Sequence, residues 1–242
     1  EEIGNRASRF VTSRAVARTL LGDNYSADLS TELNQALVTD DDFVLQRLPE
    51  LDVRGQHRFR PFGDNDYGLK LSLSNNLSLV NFDRSKSTTG FRAELHEKAK
   101  IPFYYKNIFE GDFEFGLRAT SYQLDEKNEV EETIDGSGNT VDNVVNTLAS
   151  SSDRLLPTFA LKVGSTLEKV FEVSKNSILR RLAAKGPQGR KEELVRIKHT
   201  IEPQIKYLFV PSVDQSDTPL FDSNDRLARR NVVTYGVTQK LY

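Results

Sequence analysis

The feature that most constrains this chain is a period of two in its apolar residues. In the clearest run the apolar positions are Leu69, Leu71, Leu73, Leu77 and Leu79, and lysine, serine and asparagine fill the positions between them. A pleated strand points alternate side chains to opposite faces, so this pattern predicts strands with one apolar and one polar face. We predict about nine such strands, at residues 8–20, 25–35, 43–53, 69–79, 91–101, 113–119, 157–173, 195–210 and 233–241.

The stretches between these runs are polar and differ greatly in length. Residues 125–153 have no periodicity and contain Gly136-Ser137-Gly138, so we predict a long, mobile surface loop there. Residues 211–230 form a second, Asp-rich loop, and residues 55–66 read as a third. Short turns that alternate with long loops are typical of up-and-down barrels. The predicted fold is therefore all-β: an antiparallel, up-and-down segment of a transmembrane β-barrel that is incomplete within this chain.

Composition narrows the class of protein. The chain has no cysteine, which excludes a disulfide framework and a cysteine metal site. Its net charge of −2 suggests neither a nucleic-acid-binding protein nor a polybasic membrane anchor. No apolar run approaches the ~20 residues that a spanning helix needs, but a barrel strand needs only ~9–11 alternating residues. Because the chain has no methionine, we expect residues 1–242 to be the central part of a longer barrel domain.

The sequence contains no pattern that predicts enzymatic chemistry. The three histidines, His57, His96 and His199, have no neighbours at metal-ligand spacing. No nucleophile elbow, phosphate-binding loop or dinucleotide-binding motif occurs. We therefore predict no catalytic, cofactor-binding or metal-binding residues, no cofactor and no enzymatic activity.

Four aspartates crowd the second loop, and two interpretations of them are open. Asp214, Asp217, Asp222 and Asp225 could together bind calcium, or they could form local turns and caps. We favour the structural interpretation, in which these carboxylates accept hydrogen bonds from local backbone N–H groups and the loss of Asp214 and Asp217 would impair assembly. Phe221 then supplies an apolar anchor, and the segment folds back against the strands.

A basic cluster lies between the seventh and eighth runs. Its members, which surround Gly186-Pro187, are Arg180, Arg181, Lys185, Arg190 and Lys191. Guanidinium groups bind phosphate in a bidentate manner, so the cluster could contact phosphates of a lipid. The alternative is an ordinary solvated loop.

The stretch from Ile201 to Ser223 resembles a recurrent phrase of the LptD family, the lipopolysaccharide-assembly proteins of the Gram-negative outer membrane. The matching residues are Glu202, Pro203, Tyr207, Pro211, Asp214, Gln215, Ser216, Asp217, Pro219, Phe221 and Asp222. Further matches lie upstream in Leu48-Pro49-Glu50-Leu51, at residues 90–102 and in Arg154-Leu155-Leu156-Pro157. The final run also resembles the family strand that follows the phrase.

The resemblance implies a function in transport. Members of this family insert lipopolysaccharide into the outer leaflet without bond chemistry. The implied partners are lipopolysaccharide, outer-membrane lipid, an LptE-like plug lipoprotein inside the barrel and an LptA-like periplasmic bridge that contacts other parts of the protein. The implied location is the outer membrane of a Gram-negative bacterium, as a multi-pass barrel, and nucleic acid is not an expected partner.

Two other classes of protein stay open. In a soluble β-sandwich or a lipocalin-like binding module, the apolar faces would form a closed core. A hydrolase on a β scaffold would need paired carboxylates or another catalytic set, which the sequence does not reveal. The exposure of the two strand faces distinguishes these classes: we predict that Leu69, Leu71, Leu73, Leu77 and Leu79 point outward and that Lys70, Ser72 and Ser74 point inward.

Overall fold

The computed structural model describes residues 10–37, 42–61, 69–106, 108–174, 178 and 196–242. The strands in this part of the chain are β1 (Phe10–Leu21), β2 (Tyr25–Ala36), β3 (Gln46–Phe59), β4 (Leu71–Asp83), β5 (Thr89–Tyr105), β6 (Phe109–Glu126), β7 (Asn128–Ile134), β8 (Thr140–Thr147), β9 (Ser151–Gly164), β10 (Leu167–Glu172), β11 (Arg196–Val210) and β12 (Arg230–Leu241). The all-β prediction is confirmed. Within the described ranges, no helix has the length and apolar content needed to cross a bilayer.

Successive strands pair as neighbours through most of the sheet, which confirms the predicted antiparallel, up-and-down arrangement. The order is β1-β2-β3-β4-β5-β6-β9-β11-β10, with β12 also paired to β11, while β7 and β8 form a separate two-stranded sheet. Among the described pairings, β1 pairs with β2 alone.

Contacts divide the chain into two units. The first contains Glu1–Ile101, Glu114–Phe159 and Phe209–Arg230, and the second contains Pro102–Phe113, Ala160–Leu208 and Asn231–Tyr242. In the second unit β10 pairs with β11 in a register that sets Leu167 opposite Ile201. The Ser165 N–H donates to the Pro203 carbonyl at 3.1 Å in the same register. The predicted run at residues 157–173 is therefore two strands, interrupted at 165–166.

The structure corrects the predicted boundary of the third strand. Residues 55–59 belong to β3, not to a loop, because His57 and Phe59 pair with Leu73 and Leu71 of β4. Gly55 lies against the ring of Tyr25, where a Cβ atom would have no room. Cross-strand pairing thus extends β3 through a polar, glycine-containing sequence that has weak strand propensity by itself. The register shifts between Arg47 and Glu50, so Pro49 lies at a bulge, where a residue without a backbone N–H is tolerated.

The prediction of an aperiodic loop at residues 125–153 is wrong, since this stretch contains the β7–β8 hairpin. Val130 pairs with Val144, and Ile134 pairs with Thr140. At the turn, Asp135 Oδ1 accepts the Ser137 and Asn139 N–H groups, each at 2.8 Å, and Gly138 adopts a φ of 85°. The Asx turn fixes the register, whereas the sequence hides it because polar residues occupy both faces of the hairpin.

The core of the first unit lies on one face of β4. Its buried apolar members are Val80, Phe82, Tyr122, Leu124, Leu148 and Phe221. Ser78 of β4 is buried on this same face, whereas Leu77 and Leu79 on the opposite face are partly exposed. Leu95 of β5 pairs with Leu77 and is 42% exposed. From Leu77 onward the burial pattern supports the expected sidedness, in which the leucine face points away from the packed core. At residues 70–74 the two faces do not differ in burial, and Lys70 is exposed.

Candidate functional site: a buried polar cluster beneath the Asp-rich segment

Residues 211–229, which we call the Asp-rich segment, contain no strand but pack against the strands of the first unit, to which they belong. The ring of Phe221 stacks on that of Phe82, with centroids 4.3 Å apart and planes at 13°. Thr218 and Pro219 beside it are buried. The expected role of Phe221 as an apolar anchor is confirmed by this contact. It holds the segment on the face of β4 that carries the core, which we call the inner face.

Asp225 is the centre of the hydrogen-bond network that fixes the segment. Its side chain is fully buried. Oδ2 accepts the Phe221 and Asp222 N–H groups, each at 2.7 Å. Oδ1 accepts Arg92 Nη1 at 2.8 Å and the Tyr122 hydroxyl at 2.7 Å. A carboxylate has about four acceptor positions, so these bonds satisfy it and allow a charge to be buried.

Asp222 is held by two arginines. Arg92 donates Nη1 to Oδ1 at 2.8 Å and Nη2 to Oδ2 at 2.9 Å, which is a bidentate fork. Arg47 Nη2 adds a bond to Oδ2 at 3.2 Å, and the Asn224 N–H donates to Oδ1 at 2.8 Å. Burial by itself would raise the pKa of Asp222, but the hydrogen bond and charge of Arg92 hold this pKa below its usual value.

Arg154 binds the backbone of the segment. Its Nη1 donates to the Asp225 carbonyl at 2.8 Å, and its Nη2 donates to the Asn224 carbonyl at 2.9 Å. The same guanidinium reaches Gln215 Oε1 at 3.1 Å and Thr120 Oγ1 at 3.1 Å. Gln215 in turn exchanges two hydrogen bonds with the backbone of residue 227. Arg154 thus recognises the folded shape of the segment, not only its charge.

The charges of the cluster are balanced. Besides the bonds to Asp222 and Asp225, Arg47 lies 3.7 Å from Glu50, and Arg118 lies 3.4 Å from Glu94. Cations and anions therefore occur in equal numbers in the buried polar cluster, which we define as Arg47, Arg92, Arg118, Arg154, Glu50, Glu94, Asp222 and Asp225 together with Thr120, Tyr122 and Gln215. Loss of one member would leave a partner charge buried without compensation, which is strongly destabilising.

The structure shows which of the four aspartates cap local backbone N–H groups and which also form ion pairs. Asp214 accepts the Ser216 N–H at 3.0 Å, and this bond lowers the pKa of Asp214. Among the described contacts, Asp217 does not join the cluster, and it lies in an exposed turn. The prediction that carboxylates of this loop cap local backbone N–H groups is confirmed for Asp214, Asp222 and Asp225. Asp222 and Asp225 in addition bind Arg92, and these two residues hold the segment. Arg92 donates to the oxygens of both Asp222 and Asp225, so its guanidinium occupies the place that a calcium ion between them would need.

The other residues of the family phrase lie on β11 or in the segment. Glu202 forms an ion pair with Lys240 of β12 at 2.8 Å, and Pro203 and Tyr207 belong to the same strand. Pro211 begins the segment. The basic cluster at Arg180, Arg181, Lys185 and Arg190 lies outside the described residues. Within the described ranges, no group of three or more histidine, cysteine, aspartate or glutamate residues is placed to hold a metal.

Sequence reasoning missed the residues on the strands that receive the segment. Arg92 and Tyr122 occupy inner-face positions of β5 and β6, where a polar side chain looks ordinary. Arg92 and Arg154 did stand in matched stretches, at residues 90–102 and in Arg154-Leu155-Leu156-Pro157, but the resemblance did not indicate that they receive the segment. Arg47, at the bulge of β3, gave none.

Comparison with known proteins agrees with this architecture. The family model for LPS transport system D, LptD, matches residues 3–242. The LPS-assembly protein LptD of Methylococcus capsulatus is 24% identical over 98% of this chain and 21% of its own length. The protein of the same name from Salmonella choleraesuis is 28% identical over 90% of this chain and 26% of its own length. The chain thus spans about a quarter of the length of these relatives, and it belongs to the LptD family.

Proposed function

We propose that this chain forms part of the wall of an outer-membrane β-barrel that transports lipopolysaccharide and inserts it into the outer leaflet, without enzymatic chemistry. Three observations support the proposal: membership of the LptD family, an up-and-down antiparallel sheet, and a face whose large apolar side chains are exposed. In such a wall each strand alternates apolar and polar residues, because one side faces lipid and the other faces the lumen.

The observation that carries the proposal is the exposure of large apolar residues on one face of the first unit. Phe91 is 39% exposed, Phe115 51% and Leu155 58%, while Arg92 and Arg154 on the opposite face are buried. A soluble β-sandwich or lipocalin-like module would bury those apolar side chains between two sheets or inside a closed barrel. In a membrane they would face acyl chains instead.

The Asp-rich segment then lies on the lumenal side of the wall. We assign to it a structural role: it covers the inner face of β4, β5 and β6 and ties these strands to β3 and β9. The remaining polar side chains of the inner face are candidates for contact with an LptE-like plug lipoprotein. An LptA-like bridge would contact parts of the protein beyond this barrel wall.

Photo-crosslinking in the full-length protein tests the sidedness. A photoreactive amino acid at Leu79 or Leu95 should crosslink to membrane phospholipid, and the matched neighbours Asn76 and His96 should not. Crosslinking of lipid from both faces equally, or from neither, would contradict the proposed barrel wall. Crosslinks from Asn76 or His96 to lipopolysaccharide or to the plug lipoprotein would identify the lumenal contacts.

A further inference from the structure

Asp222 occupies a position in which two guanidinium groups converge on one anion. Arg92 presents a planar fork, and Arg47 approaches the same Oδ2 atom from β3 at 3.2 Å. Both guanidinium carbons also lie near the ring of Phe82, at 4.9 Å for Arg92 and 5.8 Å for Arg47. The ring and the strands therefore fix these two cations independently of the segment that supplies the carboxylate.

This geometry suits a phosphate at least as well as a carboxylate. A guanidinium fork binds two oxygens of either group, and a phosphate monoester offers a further oxygen and a charge of about −1.5 to −2. Arg92 Nη2 and Arg47 Nη2 both donate to Oδ2 of Asp222, so the carboxylate shares one oxygen between two cations. A phosphate has a further oxygen for the second cation while two others stay on the fork of Arg92.

The two aspartates of the cluster differ in how readily they can leave. Asp225 is fully buried and accepts bonds from its own segment, so it serves as the permanent counter-ion of Arg92. Asp222 keeps 13% of its side-chain surface exposed, and Arg47 keeps 29%. Exchange of the Asp222 carboxylate for another anion therefore needs a small movement of residues near 222 and not the loss of the whole segment.

We propose that Arg47 and Arg92 form a binding site for a phosphate group of the transported lipid, and that Asp222 fills this site when no phosphate is present. The lipid as the source of the phosphate rests on the proposed function; the anion site itself rests only on the geometry. Phosphate replaces one anion by another, so Arg47 and Arg92 keep a counter-ion during exchange. Asp222 would restore the closed state when the lipid leaves.

The first test is phosphate binding to the purified full-length protein at constant ionic strength, with inorganic phosphate as the probe. Asp222→Asn removes the competing charge but keeps the side-chain shape. It should tighten phosphate binding about 10-fold or more, because the competing bond is a charge-assisted one. Asp214→Asn, in the same segment but remote from the arginines, should leave binding at the wild-type level. Arg47→Gln combined with Asp222→Asn should abolish the gain.

The proposed site is refuted if Asp222→Asn does not bind phosphate more tightly than wild type. It is also refuted if the tighter binding persists when Arg47→Gln is added. If Asp222→Asn does not fold, the single Arg47→Gln variant decides the question. The wild-type protein should broaden the phosphorus NMR signal of inorganic phosphate by weak, fast exchange, and Arg47→Gln should remove that broadening. Equal broadening in both proteins would refute the inference.

The source of the phosphate is tested with two lipids. Asp222→Asn should bind lipopolysaccharide more tightly than wild type, and this gain should vanish with enzymatically dephosphorylated lipopolysaccharide. An equal gain for both forms, or for neither, would refute the lipid phosphate as ligand, even if inorganic phosphate binds. The photo-crosslinking test of the barrel wall is unaffected by these outcomes, so failure of the site and failure of the proposed function remain distinguishable.

Discussion

The β7–β8 hairpin and the Asp-rich segment are both polar excursions between strands, but they are stabilised in opposite ways. The hairpin has a regular antiparallel ladder, and most of its side chains are exposed. The Asp-rich segment has no strand, yet it contributes Phe221 and Asp225 to the buried interior. A segment can therefore be held firmly against the sheet without regular secondary structure, and a regular hairpin can remain largely exposed. Buried, paired charges fix the irregular segment, while backbone pairing and exposed side-chain contacts maintain the hairpin.

The ion pairs of the two regions differ in their exposure to water. Lys86, in the turn between β4 and β5, contacts Asp42, Glu132 and Asp142 at 3.0–3.3 Å, and all of these side chains are about a third exposed or more. Hydrogen bonds from Lys86 to Glu132 and Asp142 raise its pKa. Solvent and salt screen such contacts, whereas Arg92, Asp222 and Asp225 are largely shielded from water.

The largest effect is expected for Asp225→Ala. This change leaves Arg92 buried with one charge partner fewer and removes the acceptor of the Phe221 and Asp222 N–H groups. The free energy of unfolding should fall by about 3–5 kcal/mol, measured by urea unfolding of the purified full-length protein. Asp217→Ala, in an exposed turn of the same segment, should change it by less than about 0.5 kcal/mol. Similar losses in the two variants would show that the cluster does not hold the segment.

The next largest effect is expected for Arg154→Lys, which should weaken the Asp-rich segment and leave the hairpin unchanged. Arg154→Lys keeps the charge but cannot reproduce the fork that reaches the Asp225 and Asn224 carbonyls. We expect a loss of about 1–3 kcal/mol and faster proteolysis within residues 211–229. Cleavage of the hairpin at residues 135–139 should keep its wild-type rate, and mass spectrometry of the fragments distinguishes the sites. If the hairpin became equally sensitive, the two regions would be one cooperative unit.

Acid should loosen the segment through Asp222. Because the folded pKa of Asp222 is depressed, its contribution to stability is complete above the unfolded value of about 3.9. This contribution is lost as the pH falls below that value and through the lower folded pKa. Unfolding free energies measured from pH 6 down to pH 3 should therefore fall less steeply for Asp222→Asn than for wild type. Parallel profiles would exclude a role for the Asp222 charge.

The smallest effect is expected for Lys86→Ala, which removes the exposed ion pairs of the hairpin. Cleavage at the hairpin turn should become moderately faster, and added salt should make the wild-type protein resemble the variant. The Asp-rich segment should be cleaved as slowly as before. A large loss of global stability in Lys86→Ala would mean that the hairpin is anchored more firmly than its exposure indicates.

Much of the fold follows from short-range patterns. The alternation of leucines in β4 predicts its strand and its two faces, and Gly22 with its polar neighbours predicts the β1–β2 turn. The same reasoning identified Phe221 as an anchor, because it is a large apolar residue between polar ones. It failed at the hairpin, where both faces are polar, and at residues 55–59, where pairing with β4 overrides local composition.

The candidate site could not be predicted in the same way, because its partners are far apart in sequence. Arg92 and Asp225 are separated by 133 residues, and Arg154 and Gln215 by 61. In the sequence Arg92 is one polar residue among many on an alternating strand. Nothing local distinguishes it from Lys98 or Lys100 further along the same face. The resemblance to a family phrase marked the segment, but it did not indicate which aspartates would be buried.

The sequence by itself determined the all-β class, the two-faced strands and the position of the Asp-rich segment, because these depend on the pleat and on turn chemistry. Only the tertiary structure decided which polar face is covered, and which carboxylates are paired with which guanidinium groups. The physical reason lies in the cost of burying charge. A carboxylate becomes a fixed structural element only where donors from several strands converge on it, and that convergence is created by the sheet, not by neighbours in the chain.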